Sequence, residues 1–145
     1  MALEMTVQAK LETGLSFDIE TGSGFHIVLD SPPSNGEQAR GPSPMEMLLV
    51  GLAGCSGMDI ISILRKKRQD VTAYEMRIHG KRAETHPQVF VEINVEHILT
   101  GHNIQPEAVQ RAIDLTEERY CGASATLSRT AKMHMTFRII EAQLA

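Results

Sequence analysis

Apolar side chains cover most of the circumference of one predicted helix, and this helix constrains the fold more than any other feature. Ser43 can cap its start, and Pro44 suits the first helical position because its missing N–H costs nothing there. A helix that is apolar all round is buried on nearly all sides. One small sheet cannot surround it, so we expect a second subunit to help cover its apolar residues, which are Met45, Met47, Leu48, Leu49, Val50, Leu52, Met58, Ile60, Ile61, Ile63 and Leu64.

The same stretch, from Met45 to Leu64, has about the length of a membrane span. Asp59 and Glu46 argue against a span, because an acidic residue well inside one costs about 2.5 to 3.5 kcal/mol. The basic run at residues 65–68 suits the last turn of a helix, where cations stabilise the helix dipole. A formal net charge of −4 gives the chain no overall attraction to nucleic acid. We therefore expect neither a membrane nor a nucleic acid as partner.

Alternating apolar and polar residues predict strands on both sides of this helix. Glycine-containing turns join the strands that precede it, which predicts an antiparallel meander. The order βββ-α-ββ-α-β predicts one α+β domain over residues 1–145, with antiparallel sheets around the long buried helix. The second helix spans residues 105–120 and leads into Cys121, and a short helical turn capped by Ser124 follows. The predicted strands are residues 4–12, 15–20, 25–30, 74–79, 88–98 and 131–140, and residues 31–42 are predicted as a long loop.

The N-terminal residues carry no basic segment followed by an apolar one, so we expect no secretory signal peptide and a cytoplasmic protein. The cytoplasm keeps thiols reduced, which makes a permanent disulfide between Cys55 and Cys121 unexpected. The two cysteines are then either buried and inert or a chemically working pair.

Sixty-six positions separate Cys55 from Cys121, so the two thiols can meet only through the tertiary fold. Small residues flank both, in the segments GCSG and CGAS, and small neighbours leave a sulfur accessible. In a working pair, one thiolate attacks an electrophile. Where this is a peroxide, attack at the terminal oxygen gives a sulfenic acid, and the second thiol condenses with it to a disulfide. The thiolate needs a lowered pKa, from a nearby arginine or a helix N-terminus.

The segments SPMEMLLVGLAGCSGMDI and YCGASATL resemble those of the OsmC-like superfamily of osmotically inducible and organic hydroperoxide resistance proteins. The resemblance covers nearly the whole chain in the same element order. It implies an intertwined homodimer with two active sites at the interface, a small hydroperoxide as substrate and an external dithiol as reductant. By this likeness Cys55 matches the attacking cysteine and Cys121 the resolving one.

The sequence departs from the hydroperoxide reductases of this superfamily at two positions. They carry an arginine in the first hairpin, which here reads LETGLSFD without one. They also carry a glutamate ten residues before the first cysteine, where this chain has Met45, and Glu46 lies one residue later. A shift of one residue turns a helical side chain by about 100°. We take Glu46 and Arg40 as the candidate catalytic partners of the cysteines, with Arg119 and Arg129 as other arginine candidates.

The remaining sequence patterns predict no metal site and no cofactor. The histidines lie on the polar faces of strands or beside turns, and the chain has no Cys-x-x-Cys and no histidine pair at helical spacing, which are the usual zinc patterns. A glycine-rich phosphate loop and a serine-hydrolase elbow are also missing. The resemblance, together with the cysteine pair, therefore implies a cysteine-based peroxidase that reduces organic hydroperoxides. The alternative is a redox-sensing or small-molecule-binding dimer without turnover.

Overall fold

The computed structural model describes residues 3–31 and 36–143. It confirms the α+β class, with two three-stranded sheets and one long helix. The chain divides into two compact units, Met1–Leu48 and Leu49–Ala145. Its elements in order are β1 (Val7–Leu11), β2 (Phe17–Thr21), β3 (His26–Leu29), α1 (Pro44–Lys66), β4 (Asp70–Arg82), β5 (Phe90–His102), α2 (Pro106–Leu115), a π-helical turn (Thr116–Tyr120), α3 (Gly122–Leu127) and β6 (Lys132–Glu141).

The N-terminal unit contains the predicted antiparallel meander, in the order β1-β2-β3. Val7 pairs with Thr21 across the first two strands, and Phe17 pairs with Leu29 across the next two. Part of the predicted loop, residues 32–35, lies outside the described residues. The Asp30 carboxylate accepts hydrogen bonds from the backbone N–H groups of Arg40 (2.9 Å) and Ser31 (2.8 Å). These two bonds lower the pKa of Asp30, with the bond from Arg40 the larger cause.

Helix α1 begins at Pro44, as predicted, and a reciprocal cap holds its first turn. The Ser43 hydroxyl accepts a hydrogen bond from the Glu46 backbone N–H (3.3 Å), and the Glu46 carboxylate accepts one from the Ser43 N–H (2.8 Å). This arrangement is a capping box, which satisfies two N–H groups that have no partner within the helix.

Within one chain α1 is buried along one side, and the expectation that a second subunit covers the remaining sides stays a prediction. Its fully buried residues form one stripe with a spacing of four, at Leu52, Ser56, Ile60 and Leu64. On the rest of the helix, Leu48, Val50 and Met58 are exposed, because one chain supplies packing partners for one face. By length and composition α1 would also pass as a membrane span, with a mean hydropathy of 1.9. The buried stripe accounts for part of that hydropathy, because 28% of the apolar window is buried inside the protein.

The C-terminal sheet has the order β4-β5-β6 and corrects one part of the predicted pairing. Strands β4 and β5 are antiparallel, from Asp70 opposite His102 onward. Strands β5 and β6 are parallel, with Glu92 beside Lys132 at one end and Gly101 beside Glu141 at the other. The chain between β5 and β6 forms α2 and α3, and a helical crossover of this kind returns the chain to the end of the sheet where β5 began.

The core of the C-terminal unit forms between α1, α2 and this sheet. Its buried residues are Ile60, Leu64, Leu99, Ile104, Val109, Ala112 and Ile113. A polar pair lies beside it, since the Tyr74 hydroxyl and His97 Nδ1 are 2.7 Å apart and share a hydrogen bond. His97 is fully buried, and its Nε2 has no hydrogen-bond partner among the described residues. Burial lowers the pKa of His97 to about 4 and raises that of Tyr74, so both side chains are neutral at pH 7.

Candidate functional site

Cys121 lies at the junction of two short helical segments. The predicted helix over residues 105–120 is α-helical only to Leu115, and its last residues form the π-helical turn, a feature that is common at functional sites. The Cys121 N–H donates a 2.8 Å hydrogen bond to the carbonyl of Thr116 at the start of that turn. Cys121 itself then becomes the N-cap of α3.

The cap of α3 is therefore Cys121 and not Ser124 as predicted. The Cys121 Sγ accepts a 3.3 Å hydrogen bond from the backbone N–H of Ser124. An N-cap side chain accepts from the N–H two or three residues on, so the capping residue has to precede the first helical turn. Ser124 lies inside that turn, where its N–H is the donor and its hydroxyl is free to bond elsewhere.

The fold brings the Cys121 thiol to the middle of α1. The sulfur atoms of Cys55 and Cys121 and a carboxylate oxygen of Asp59 all lie within 4.8 Å of one another. Cys55 and Asp59 share one side of α1 because they are four residues apart. Both cysteines are free, with Cys55 partly buried and Cys121 buried. The two residues predicted as the attacking and resolving thiols are thus neighbours, while their catalytic roles stay predictions.

The surroundings of the Cys121 thiol disfavour its charged form. Burial is the largest cause that raises its pKa to about 12, and Cys55 and Glu117 add to the increase. The N–H of Ser124 acts in the opposite direction, because a donor stabilises the thiolate. At neutral pH the uncharged thiol is therefore the stable form of Cys121.

Glu117 and Ser124 complete the surroundings of Cys121, and sequence reasoning identified neither as a site residue. The Ser124 hydroxyl donates a short hydrogen bond to Glu117 Oε2. Burial raises the pKa of Glu117 and this bond opposes the increase. Glu117 Oε1 and Asp59 Oδ2 are buried and accept no hydrogen bond from any residue that the structure describes. The sequence signal for Glu117 as a neighbour of Cys121 was its position four residues before Cys121.

No positively charged side chain pairs with the carboxylates of this site in the described part of the chain. Within residues 3–31 and 36–143, neither Asp59 nor Glu117 pairs with a lysine, arginine or histidine. Arg119 and Arg129 are exposed. Two thiols and two carboxylates therefore lie together without a neutralising side chain of their own chain.

Arg40 and Glu46, the two other predicted site residues, belong to the N-terminal unit and have contacts there. The Arg40 guanidinium lies 3.8 Å from the Glu12 carboxylate, and the Glu46 carboxylate accepts the bond from the Ser43 N–H that caps α1. These contacts give both residues structural roles, and their catalytic roles stay predictions.

The glycines around Cys55 have two different surroundings. A Cβ at Gly57 would lie 2.7 Å from the terminal carbon of Met76 on β4, and this flexible side-chain end would have to move to make room. Added Cβ atoms at Gly51 and Gly54 would meet no described residue within 4 Å. Gly57 thus lies against β4, whereas Gly51 and Gly54 leave open space beside the helix.

Comparison with known proteins identifies the family. The OsmC family, described as OsmC-like protein, matches residues 35–136. Protein YhfA from Escherichia coli K12 is 38% identical over 138 residues, which are 95% of this chain and 100% of YhfA.

Solved structures share the fold over nearly the same length. A hypothetical protein from Aquifex aeolicus VF5 is 27% identical with a TM-score of 0.86, covering 98% of this chain and 100% of that one. An organic hydroperoxide resistance protein OsmC from Legionella pneumophila has a TM-score of 0.71 at 15% identity, covering 94% of this chain and 98% of its own, and at that identity it shows the fold alone. The resemblance found in the sequence is confirmed, and the chain belongs to the OsmC-like protein family.

Proposed function

We propose that this protein is a cytoplasmic, homodimeric thiol peroxidase that reduces small organic hydroperoxides with Cys55 and Cys121. One observation carries the proposal: two cysteines that are far apart in the sequence have their sulfur atoms within 4.8 Å of each other. The fold of the Legionella pneumophila hydroperoxide resistance protein supports the substrate class.

The reaction divides between the two thiols according to their surroundings. The Cys55 thiolate attacks the terminal peroxide oxygen, the O–O bond breaks, and the products are a Cys55 sulfenic acid and, after protonation, an alcohol. The Cys121 thiol then attacks the sulfenic sulfur, forming the disulfide and releasing water. An external dithiol reduces the disulfide and becomes a disulfide itself. Cys55 takes the attacking role because it is the more exposed of the two cysteines.

A homodimer accounts for the apolar surface that one chain leaves uncovered. On α1, Leu48, Val50 and Met58 are 46%, 55% and 74% exposed. Gly51 and Gly54, in the same part of the helix, have open space beside them. Large apolar side chains left exposed on one helix are typical of an interaction site, and small residues allow a second helix to approach closely.

The second candidate is a redox-sensing or small-molecule-binding dimer that does not turn over. It is favoured by the site's lack of a cation among the described residues, because an attacking thiolate is usually stabilised by a positive neighbour. Glu46, which lies nearest in sequence to the family's glutamate position, acts as a helix cap.

The test counts free thiols in fully reduced protein during exposure to cumene hydroperoxide. The wild type should lose both thiols of each chain and form an intramolecular disulfide. Cys121→Ser should stop at a Cys55 sulfenic acid, which a 1,3-diketone reagent traps. Cys55→Ser should keep its Cys121 thiol, and Ser128→Ala, which changes an exposed residue at the end of α3, should react like the wild type.

The dithiol consumption separates the two candidates. Continued peroxide-dependent oxidation of an added dithiol supports the peroxidase. A single round of disulfide formation without further dithiol oxidation supports the sensor. Thiols that persist in the wild type while a control peroxidase is oxidised would rule out the proposed activity.

A further inference from the structure

The cluster of Cys55, Asp59 and Cys121 has the composition of a metal site, although no sequence motif indicates one. Each residue offers one ligand atom, and these atoms lie within 4.8 Å of one another. The Asp59 Oδ2 is buried and accepts no hydrogen bond in the described part of the chain. A buried acceptor without a donor is costly, and a bound cation would satisfy it.

We propose that the reduced protein binds one thiophilic divalent cation per chain, with Zn²⁺ as the best-fitting ion, through the sulfur atoms of Cys55 and Cys121 and the carboxylate of Asp59. Thiolate sulfur favours Zn²⁺ over the harder Mg²⁺ and Ca²⁺ ions. This proposal does not depend on peroxidase activity, because it concerns only the reduced thiols and their neighbour.

The three ligand atoms fit three corners of a tetrahedron around Zn²⁺ once they move slightly closer together. Zn²⁺ bonds sulfur at about 2.3 Å and carboxylate oxygen at about 2.0 Å, so adjacent ligand atoms lie about 3.5 to 3.8 Å apart. The three ligand atoms lie within 4.8 Å of one another, so side-chain movements of at most about 1 Å bring them to these distances. Three protein ligands leave the fourth position open for water or an exogenous ligand, as in catalytic zinc sites.

The groups around the cluster favour a cation. The Ser124 N–H already donates to the Cys121 Sγ, which is the kind of outer contact that orients and stabilises a metal ligand. Glu117, which accepts a hydrogen bond from Ser124, adds a second buried carboxylate oxygen that has no partner within residues 3–31 and 36–143. In the described residues no lysine, arginine or histidine pairs with either carboxylate, so no positive side chain competes with the metal.

The test titrates Zn²⁺ into metal-free, fully reduced full-length protein in competition with a chromophoric chelator. We expect one Zn²⁺ per chain, and Co²⁺ in its place should give a thiolate-to-metal charge-transfer band. Cys55→Ser and Cys121→Ser should each remove the band, and Asp59→Asn should weaken Zn²⁺ binding at least about 10-fold. Asp114→Asn is the matched control, because Asp114 is a partly buried helical aspartate on α2 and should bind Zn²⁺ like the wild type.

X-ray absorption of the Zn²⁺-loaded wild type gives the ligand set even where a variant does not fold. Two sulfur atoms and at least one oxygen at the distances above are expected. The proposal is overturned if the protein binds no Zn²⁺ at concentrations where the chelator is half-saturated. It is also overturned if fewer than two sulfur ligands are found, or if Asp59→Asn binds as tightly as the wild type.

Discussion

Acidification from pH 7 to pH 5 should weaken the folded state through one buried histidine, His97. The side chain is fully buried on β5, and its Nδ1 shares a hydrogen bond with the Tyr74 hydroxyl. Its Nε2 has no partner in the part of the chain that the structure describes. A charged imidazolium in this position would have lost its hydration without gaining an acidic partner. The folded chain therefore resists protonation of His97, whereas the unfolded chain does not.

The size of the stability loss follows from the pKa of His97 in the unfolded and in the folded chain. An unfolded histidine titrates near pKa 6.5, and burial lowers the pKa of folded His97 to about 4. Between these values the unfolded chain binds a proton that the folded chain does not, so the free energy of unfolding falls as the pH falls. The stabilisation is fully present above about pH 6.5. About 2 kcal/mol of it is lost by pH 5, and about 3 kcal/mol by pH 4.

Urea unfolding at pH 7 and pH 5 measures this loss, at one fixed protein concentration because the stability of the proposed homodimer would depend on concentration. His97→Gln should lose about 2 kcal/mol less than the wild type between these two pH values. His79→Gln is the matched control, because His79 is exposed on the neighbouring strand β4 and its replacement should leave the pH dependence unchanged. Equal losses in the wild type and in His97→Gln would refute the reasoning. An NMR titration in which the His97 ring protonates near pH 6.5 would refute it without any variant.

Three further substitutions test the core position of Leu52, the role of Glu46 and the proposed interface along α1. Leu52→Ala should lower the free energy of unfolding by about 2 to 5 kcal/mol, because Leu52 is fully buried, and a loss below about 1 kcal/mol in urea unfolding would contradict its core position. Glu46→Gln should keep both thermal stability and peroxide-dependent thiol loss, since glutamine also completes a capping box; loss of the peroxide reaction alone would make Glu46 catalytic. Met58→Asp should keep its circular dichroism spectrum but sediment as a single chain, and an unchanged dimer would contradict an interface along the exposed side of α1.

The strands and the start of α1 were predictable because their signals are local. Alternation within a few residues identifies a strand, and the Ser43-Pro44 pair identifies the start of a helix. The alternation also predicts that the first strand is half-buried, but every residue of β1 is exposed in the single chain. The capping box was also visible as Ser43 followed three residues later by Glu46. Likeness to the family's glutamate position instead suggested a catalytic role for Glu46. The structure shows Glu46 in the cap of α1, and its catalytic role stays a prediction.

The remaining features depend on contacts between distant parts of the chain. Alternation in β6 is the same whether it pairs in parallel or antiparallel with β5, so strand direction could be obtained only from the crossover through α2 and α3. In the sequence, the helical spacing of Val109, Ile113, Thr116 and Tyr120 continues through the π-helical turn and conceals the change of helix type. The neighbours of Cys121 were missed because Ser124 and Glu117 become a connected pair only when that turn folds.

The two proposals for Cys55 and Cys121 compete for the same sulfur atoms. A sulfur in a disulfide no longer provides a thiolate ligand, so the metal-bound and oxidised forms exclude each other. If both proposals hold, cumene hydroperoxide should release one Zn²⁺ for each disulfide formed, and saturating Zn²⁺ should slow the loss of thiols. Parallel measurement of released Zn²⁺ and remaining thiols tests this coupling. Thiol loss without release of bound Zn²⁺ would place the metal elsewhere, and release without thiol loss would show that the peroxide acts on something other than the cysteine pair.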